Sequence, residues 1–570
     1  MCTNAAKLKA DDTNDTIMET MQHYINLTTA GPPTIEAAMN TSKKNDWISA
    51  INSELASLNK HQVCEYVHDK GETILSDAMI IPGKLILTEK INADTGKTDR
   101  LKARMVCQGF HQRPGIDFTD TYAPTVDLAI VRLLLATAIS KGYEIRQYDI
   151  VTAYLEGEIE EEIYIRLPRS ITIDSNNKLK LDINNRKNVV VRLRKALPGL
   201  KQAAATWHKT FTDSVKQIGW TPAKEAACLF YKHGNNAKNR KDFMSTIWVD
   251  DILSIGTTDE LDDAEQDLNA IFNVKRVGTS NKHNLLGMTL EKTTDGILIG
   301  QEAYIDKVLT AFAMQDCKGV KTPISAGIKL QKAESKDDPQ LLNDDDKQRY
   351  QSIVGSIQYA AIISRPDLSF TAGVLGRHSA APTKQHMTAA KHALRYLKTT
   401  KTHRLMLKRG NNNKIEVYAD ADFAGDTDTS RLMTGYIIYV NGCPISWKSQ
   451  RQPLVTRSTA DAEYTASSFA AVDGIWIKRV INEVMGMDIN TSIKLYNDNT
   501  TALKIMRTNA HTPKGRNVGV HYRWLREAIY DTKEIDAKYC STDVMVADIL
   551  TKPLSIDRID KLKDLIRFQR

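Results

Sequence analysis

The feature that most constrains this chain is a pair of adjacent carboxylates, Asp250–Asp251, set between two apolar runs, 245–249 (STIWV) and 252–256 (ILSIG). Short apolar runs rich in β-branched residues on either side of a two-residue break read as the strands of a hairpin. A solvent-exposed turn would explain the pair by itself. Asp-Asp also occurs at 11–12, 262–263, 337–338 and within 344–346, where polar surroundings suit solvated loops or helix faces. Asp149 adds a further constraint, because it too lies in an apolar strand-like run, 145–151 (IRQYDIV). If the two strands are neighbours, three carboxylates meet. Like charges about 4 Å apart repel by roughly 4 kcal/mol per pair at an effective dielectric near 20. Divalent cations remove that penalty, and an all-oxygen site selects magnesium or manganese.

A chain of 570 residues is too long for one core and predicts three to four folding units. Its net charge of +8 permits a polyanionic partner without requiring one. The seven cysteines, at 2, 64, 107, 228, 317, 443 and 540, form no CxxC or Cys/His cluster. That spacing argues against structural zinc and fits a reducing compartment. No run of 18 apolar residues exists, so no membrane span is expected, and the first residues carry no secretory pattern.

Residues 1–43 read as a loose lead-in, followed by a helix with Trp47, Ile51, Leu55 and Leu58 on one face. Two strands are predicted between 84 and 110 around the turn ADTGKTD, with Lys102 and Arg104 sharing a face. A buried helix is predicted at 128–141, interrupted by Arg132. The Asn-rich stretches 175–188 and 234–242 read as surface loops, and 332–348 as an acidic interdomain loop before three helical patterns. The segment 410–414 (GNNNK) is the best boundary. Beyond it the expected order is strand, strand, long helix, strand, helix, strand, helix.

That last region holds a second acidic set. Asp420 ends the strand KIEVYAD, and Glu463 starts a long helix rich in Ala and Ser. Asp498 ends the strand IKLYND, and Asp548 lies on a short helix before Pro553. Singly, each is better read as a cap or a surface charge. Asp422 competes with Asp420.

The motifs resemble the reverse transcriptase and RNase H region of copia-type LTR retrotransposon Pol polyproteins. The matching text is KARMVCQGFHQRPGIDFTDTYAP, QYDIVTAYLEGEIEEEIYIRLP, LPGLKQAAATW, WVDDILSIG and LLGMTLE, then YADADFAGD, STADAEY, YNDNTTAL and ADILTKPL, in order over roughly residues 45–555. The resemblance implies an α+β chain. A right-hand reverse transcriptase (fingers, palm, thumb) would occupy 45–345, after a lead-in at 1–44. A helical connection would occupy 346–410, and a mixed α/β RNase H-like domain 411–570.

It also implies roles. Asp149, Asp250 and Asp251 would hold metal in the polymerase, and Asp420, Glu463, Asp498 and Asp548 in the nuclease. Each site would use two Mg2+ (or Mn2+) ions for phosphoryl transfer. Asp420 is preferred over Asp422 because it takes the YxD position. Tyr154 would exclude the ribose 2′-hydroxyl. Gln202 would contact the incoming deoxynucleoside triphosphate, and Lys102 and Arg104 its phosphates. Trp248, Leu286, Gly287 and Met288 would contact the primer. Implied partners are an RNA template, a DNA primer, an RNA–DNA hybrid, and integrase and Gag of the same element, in a cytoplasmic virus-like particle or the nucleus.

Two departures stand out. Trp248 replaces the usual Tyr or Phe, and 515–527 (GRNVGVHYRWLRE) lacks a His-Ile-Asp run, with Gly519 at its Asp position. No zinc knuckle, integrase finger or protease signature is evident, since the DTG at 94–96 lies in the finger-like turn. A decayed or domesticated remnant that binds nucleic acid is the alternative. A group II intron-type or telomerase-like polymerase fits less well, because of the RNase H-type region and the ADILTKPL run.

Overall fold

Trp47, Ile51, Leu55 and Leu58 form the buried face of the helix Lys44–Lys60, as their spacing predicts. The computed structural model describes residues 34–67, 80–91, 98–185, 187–233, 242–335, 337–408, 414–422, 432–453, 458–485, 491–508 and 519–569, with the isolated residues 32, 410 and 489. The helix packs on the strand Thr98–Cys107, where Glu54 Oε1 accepts from Met105 N at 2.8 Å. That strand edges a sheet ordered Cys64–Tyr66, Val190–Leu193, Tyr164–Arg166, Ile80–Ile91, Thr98–Cys107. Ala103 and Met105 face its core. Alternation along a strand therefore puts Lys102 and Arg104 together on the open face. The DTG turn at 94–96 lies outside the described residues.

A second sheet carries the central acids. Its order is Val274–Val277, Glu144–Ile150, Asp251–Gly256, Asp242–Trp248, Leu229–His233, Thr221–Pro222. The hairpin expected around 234–242 is present in its strands, while its tip lies outside the described residues. Residues 171–181 form another hairpin, Ile171–Ile173 with Leu179–Leu181. The helix Leu128–Lys141 lies against the second sheet. Asp127 caps it, accepting from Ala129 N at 2.8 Å, and Gly142 ends it at φ 71°.

The stretch 332–348 is not all loop. A helix, Asp344–Ile363, begins inside it, because Asn343 Oδ1 accepts from Asp346 N at 2.8 Å. Asp344, Asp345 and Asp346 then suit the positive end of the helix dipole. Two more helices follow, Ser369–Gly376 and Lys384–Thr399.

The last unit is a sheet ordered Cys443–Arg451, Met433–Val440, Ile415–Asp422, Ile493–Asn497, Ile535–Tyr539. The first three strands run antiparallel and the last two parallel to the third, with the helix Thr459–Met485 packed on them. Three strands precede that helix, one more than the sequence reading gave. The missed hairpin turns at Asn441–Gly442, with φ 53° and 74°, the backbone for which Asn-Gly is suited.

The boundary at 410–414 is crossed by hydrogen bonds. The strand Arg404–Lys408 pairs with Gly296–Gly300 on one side and with the C-terminal strand Phe568–Gln569 on the other. A buried arginine also crosses it. Arg132 Nη1 donates to Ile445 O at 2.8 Å, and Nη2 to Ile363 O at 3.0 Å and to Ile362 O. Its guanidinium stacks 3.7 Å from the Trp447 ring centroid, and Trp447 Nε1 donates to Ala361 O at 2.9 Å. Arg132→Met keeps much of the volume but removes the guanidinium donor from the Ile362, Ile363 and Ile445 carbonyls. The variant is expected to lose about 3 kcal/mol of stability. An unchanged urea midpoint would contradict this.

Candidate active sites

The second sheet brings Asp149 and Asp251 together directly, as partners in the ladder. Trp248 pairs with Asp251, so Val249 and Asp250 form a two-residue turn. Val249 has φ 56°, a left-handed conformation that a β-branched residue rarely adopts. Its position is fixed from both sides. Trp207 Nε1 donates to Val249 O at 2.6 Å, and Ile150 N to Asp250 O at 2.9 Å. Trp207 belongs to the LPGLKQAAATW run, but its part in fixing the turn was not legible there. Burial raises the Asp250 carboxyl above its ordinary pKa; Asp149 adds to this, while Arg104 and Lys102 oppose it. The Tyr154 phenol is pushed up to about 12 by burial and by Asp250, again opposed by Arg104. These five side chains therefore share one electrostatic site. Tyr154 rides on the short turn Ala153–Glu156, which follows Thr152 at φ 64°.

Gln202 is placed differently. It is buried, its Nε2 donates to Asp117 O at 2.9 Å and its Oε1 accepts from Gln112 Nε2 at 3.0 Å. Its amide is thus engaged by the 112–117 loop. Leu286 and Gly287 form a two-residue turn, both with positive φ (49° and 67°), between paired Leu285 and Met288. A Cβ on Gly287 would lie 2.5 Å from the Tyr359 hydroxyl, so only glycine fits. That hydroxyl donates to Leu286 O. Leu286, Met288 and Trp248 are all buried. Gln147, unremarked in the sequence, donates to Asp251 Oδ1 at 3.3 Å and to Asn284 O at 2.9 Å, tying the acids to this turn.

The second site is tighter. Asp420, Glu463 and Asp498 each offer a carboxylate oxygen, all within 4.8 Å of one another. Asp149, Asp250 and Asp251 do not gather as closely. Burial, opposed by Lys552 and by the Thr551 hydroxyl and assisted by Asp548 and Asp498, pushes Asp420 up to about 6. Burial and the Asp420 charge raise Glu463 well above its ordinary range, although Asn497 Nδ2 donates to it at 2.9 Å. Thr542 Oγ1 donates to Asp498 Oδ2 at 2.7 Å. Asp548 stands beside the trio, held by Lys552 at 2.9 Å and Arg558 at 2.8 Å. Asp422 is not among the trio. Sequence reading missed Lys552, Arg558 and Asn497, although Lys552 stands in the ADILTKPL run. Gly519 opens a described helix, but 509–518 lie outside the described residues.

The chain that carries this acidic hairpin on one sheet and this acidic trio on another falls in the class of reverse transcriptases. Residues 73–326 match the family described as Reverse transcriptase (RNA-dependent DNA polymerase). The chain is 31% identical over 539 residues to the Retrovirus-related Pol polyprotein from transposon TNT 1-94 of Nicotiana tabacum, covering 94% of this chain and 39% of that one. It is 31% identical over 521 residues to the Retrovirus-related Pol polyprotein from transposon RE2 of Arabidopsis thaliana, covering 91% and 34%. The chain belongs to the copia-type Pol polyproteins, and spans between 34% and 39% of the length of these two relatives. A solved structure of the foamy viral protease-reverse transcriptase dRH in complex with ds DNA aligns with 87% of this chain and 69% of that one, at 13% identity and a TM-score of 0.43.

The raised Asp420 carboxyl fixes a sign. Its ordinary pKa is 3.8 and its folded value about 6, so the folded state binds more protons between these values. Its contribution to stability then falls as pH rises through that window and stays low above it. In chelator, Asp420→Asn is expected to melt higher than the parent at pH 7, with the gap closing toward pH 4. A lower melting temperature at pH 7 would count against a buried, destabilising charge at Asp420.

Proposed function

We propose that this chain is an RNA-directed DNA polymerase with a separate ribonuclease H site, acting on an RNA template, a DNA primer and the hybrid they form. The observation that carries this reading is that Asp149, Asp250 and Asp251 share one sheet while Asp420, Glu463 and Asp498 gather on another sheet and the helix packed on it. Their donors are all oxygens, and burial, with neighbouring carboxylates adding to it, raises the Asp250, Asp420 and Glu463 carboxyls. That fits Mg2+ or Mn2+. Asp149, Asp250 and Asp251 would hold it in the polymerase, and Asp420, Glu463 and Asp498, with Asp548 adjoining, in the nuclease. When bound, such ions activate an attacking oxygen and stabilise the departing one.

The remaining steps belong to the chain. Lys102 and Arg104, side by side on the open face of their strand, bind the triphosphate of the incoming deoxynucleotide by charge. The Tyr154 ring, close enough to Asp250 for its phenol to feel that charge, excludes a ribose 2′-hydroxyl. Gln202 acts through the 112–117 loop, which it holds in place beside the nucleotide. The Leu286–Gly287 turn offers backbone to the primer end, with Met288 and Trp248 packed beneath. The buried Trp248 fills the place of the usual Tyr or Phe without leaving the sheet. Integrase and Gag of the same element are the protein partners this reading expects.

Primer extension on an RNA template with magnesium or manganese tests the reading. Asp250→Asn is expected to lower extension by about a thousandfold or more while sparing hybrid cleavage, and Glu463→Gln to do the reverse. A folded parent that binds duplex but shows neither activity would establish the decayed remnant instead. Tyr154→Val is expected to raise ribonucleotide incorporation relative to deoxynucleotide by about tenfold or more. An unchanged ratio would place the gate on another residue.

A further inference from the structure

The helix Lys384–Thr399 keeps one face for the core and one for solvent. Met387, Ala390, Leu394 and Leu397 are buried, while Lys384, Thr388 and Lys391 are exposed and Arg395 and Lys398 half-buried. Steps of three and four residues put these last five on one stripe. A strap, residues 317–329, runs antiparallel along that stripe. Lys398 Nζ donates to Cys317 O at 2.6 Å, Arg395 Nε to Lys318 O at 2.6 Å, and Gln385 Nε2 to Lys329 O at 3.2 Å. His392 Nε2 and Thr322 O lie 3.0 Å apart. Gly319 lets the strap lie close, since a Cβ there would stand 2.2 Å from Thr399 Oγ1. The strap thereby carries Lys318, Lys321 and Lys329, all exposed, alongside the helix.

The charge along this surface has one sign. Neither 317–333 nor 368–415 contains Asp or Glu, and the second stretch holds ten Lys or Arg. Lys401 and Arg404, beyond the helix, pair with Asp306, Glu291 and Glu302. Among the described residues, Lys318, Lys321, Lys329, Lys384 and Lys391 have no carboxylate within ion-pair distance. The helix has 16 residues and is about 24 Å long, so these cations follow an extended line. Among the described residues, neither strap nor helix exposes a large apolar side chain, so the surface lacks the anchors of a protein interface. We propose that the strap and helix form a track for the phosphate backbone of a nucleic-acid strand, outside both acid sets. It reads charge rather than base, and extends the grip on template beyond the two catalytic sites. Arg395 and Lys398 are positioning residues that staple the strap, and the exposed lysines meet the phosphates.

This inference rests on the reading of the chain as an enzyme of nucleic acid, and one set of measurements separates the two. Lys318→Gln, Lys321→Gln, Lys384→Gln and Lys391→Gln are combined, leaving Arg395 and Lys398 to hold the strap. Fluorescence anisotropy of labelled poly(U) and poly(A) RNA follows binding by the full chain across a salt series. The combined variant is expected to bind both about tenfold or more weakly at low salt, with the slope of log K against log salt shallower by about 3. Its extension from a saturating primer–template should match the parent. A control with Lys44, Lys178, Lys180 and Lys187, all exposed, changed to Gln loses the same charge elsewhere and should bind like the parent. Equal binding by the parent and the combined variant would overturn the track, as would an equal loss in the control or a loss for one base only. Unchanged RNA binding with lost binding of polyglutamate would overturn it in favour of an acidic protein segment. A parent that neither extends nor cleaves would remove the enzyme reading, while the anisotropy still decides the track. Should the combined variant fail to fold by circular dichroism, Lys384→Gln with Lys391→Gln decides alone, with an expected slope change of about 1.4.

Discussion

The relation between the two sites depends on Arg132. Its guanidinium is buried, and burial lowers its pKa to about 9, which still leaves it charged at neutral pH. Asp127, at the start of the same helix, offsets part of that cost. Its hydrogen bonds go to carbonyls: two at the C-terminal end of the helix Asp344–Ile363, and one on the strand Cys443–Arg451. The last carbonyls of a helix lack intrahelical donors and sit at the negative end of its dipole, so a cation there is favoured. Trp447 adds its ring face, an attraction that desolvation strengthens. One side chain thereby joins the helix behind the polymerase acids, the connecting helices and the nuclease sheet. A single hydrophobic core runs through all three. The acid sets are chemically separate, but the scaffold beneath them is continuous.

That continuity bears strain elsewhere. Val249 and Thr152, both β-branched, hold positive φ next to the polymerase acids, at a cost of about 1 kcal/mol or more each. The surrounding packing over-determines the Val249 turn. Trp207 bonds it from below, and the Trp207 ring meets Phe272 edge-on, with centroids 5.4 Å apart. Phe272 stacks on Phe211. This aromatic layer thus fixes Asp250 in a place where burial raises its carboxyl. The nuclease trio is held by different means, with Asn497 bonded to Glu463 and to Ala419 O, one residue before Asp420.

Local pattern carried much of this into the sequence. The four apolar positions of the helix Lys44–Lys60 and the hairpin that carries Asp250 and Asp251 could be read from spacing and flanking text, whereas the four C-terminal acids stood out only through the family motifs around them. What was not legible depends on partners distant in the chain. Arg132 reads as a flaw in an apolar helix until its carbonyls, at 362, 363 and 445, are known. The pairing of Phe568–Gln569 with Arg404–Lys408 has no local sign. The bonds of the Gln202 amide to Gln112 and Asp117 likewise have no local sign. Two misses were local. The Asn441–Gly442 turn and the Asn343 cap both carry recognisable turn and capping chemistry, and at Asn343 the polar text that follows hides it.

Burial alone does not distinguish a structural carboxylate from one built to hold metal. Asp367 and Asp420 are buried almost equally, at 1% and 2% exposed, yet their acidities move in opposite directions. Arg365 grips Asp367 with two bonds, at 2.9 and 2.7 Å, and Tyr396 adds a third at 2.7 Å. Burial would raise this carboxyl, but Arg365, with help from Lys563, outweighs it and draws it down to about 2. Asp420 has only the edge of Lys552 and a hydroxyl against burial and two neighbouring carboxylates, and it rises to about 6. The difference is the positive charge each receives from the chain. Where the chain supplies enough, as at Asp367, the acid is part of the scaffold. Where it supplies too little against burial, as at Asp420, Glu463 and Asp250, the shortfall is what a divalent ion would fill.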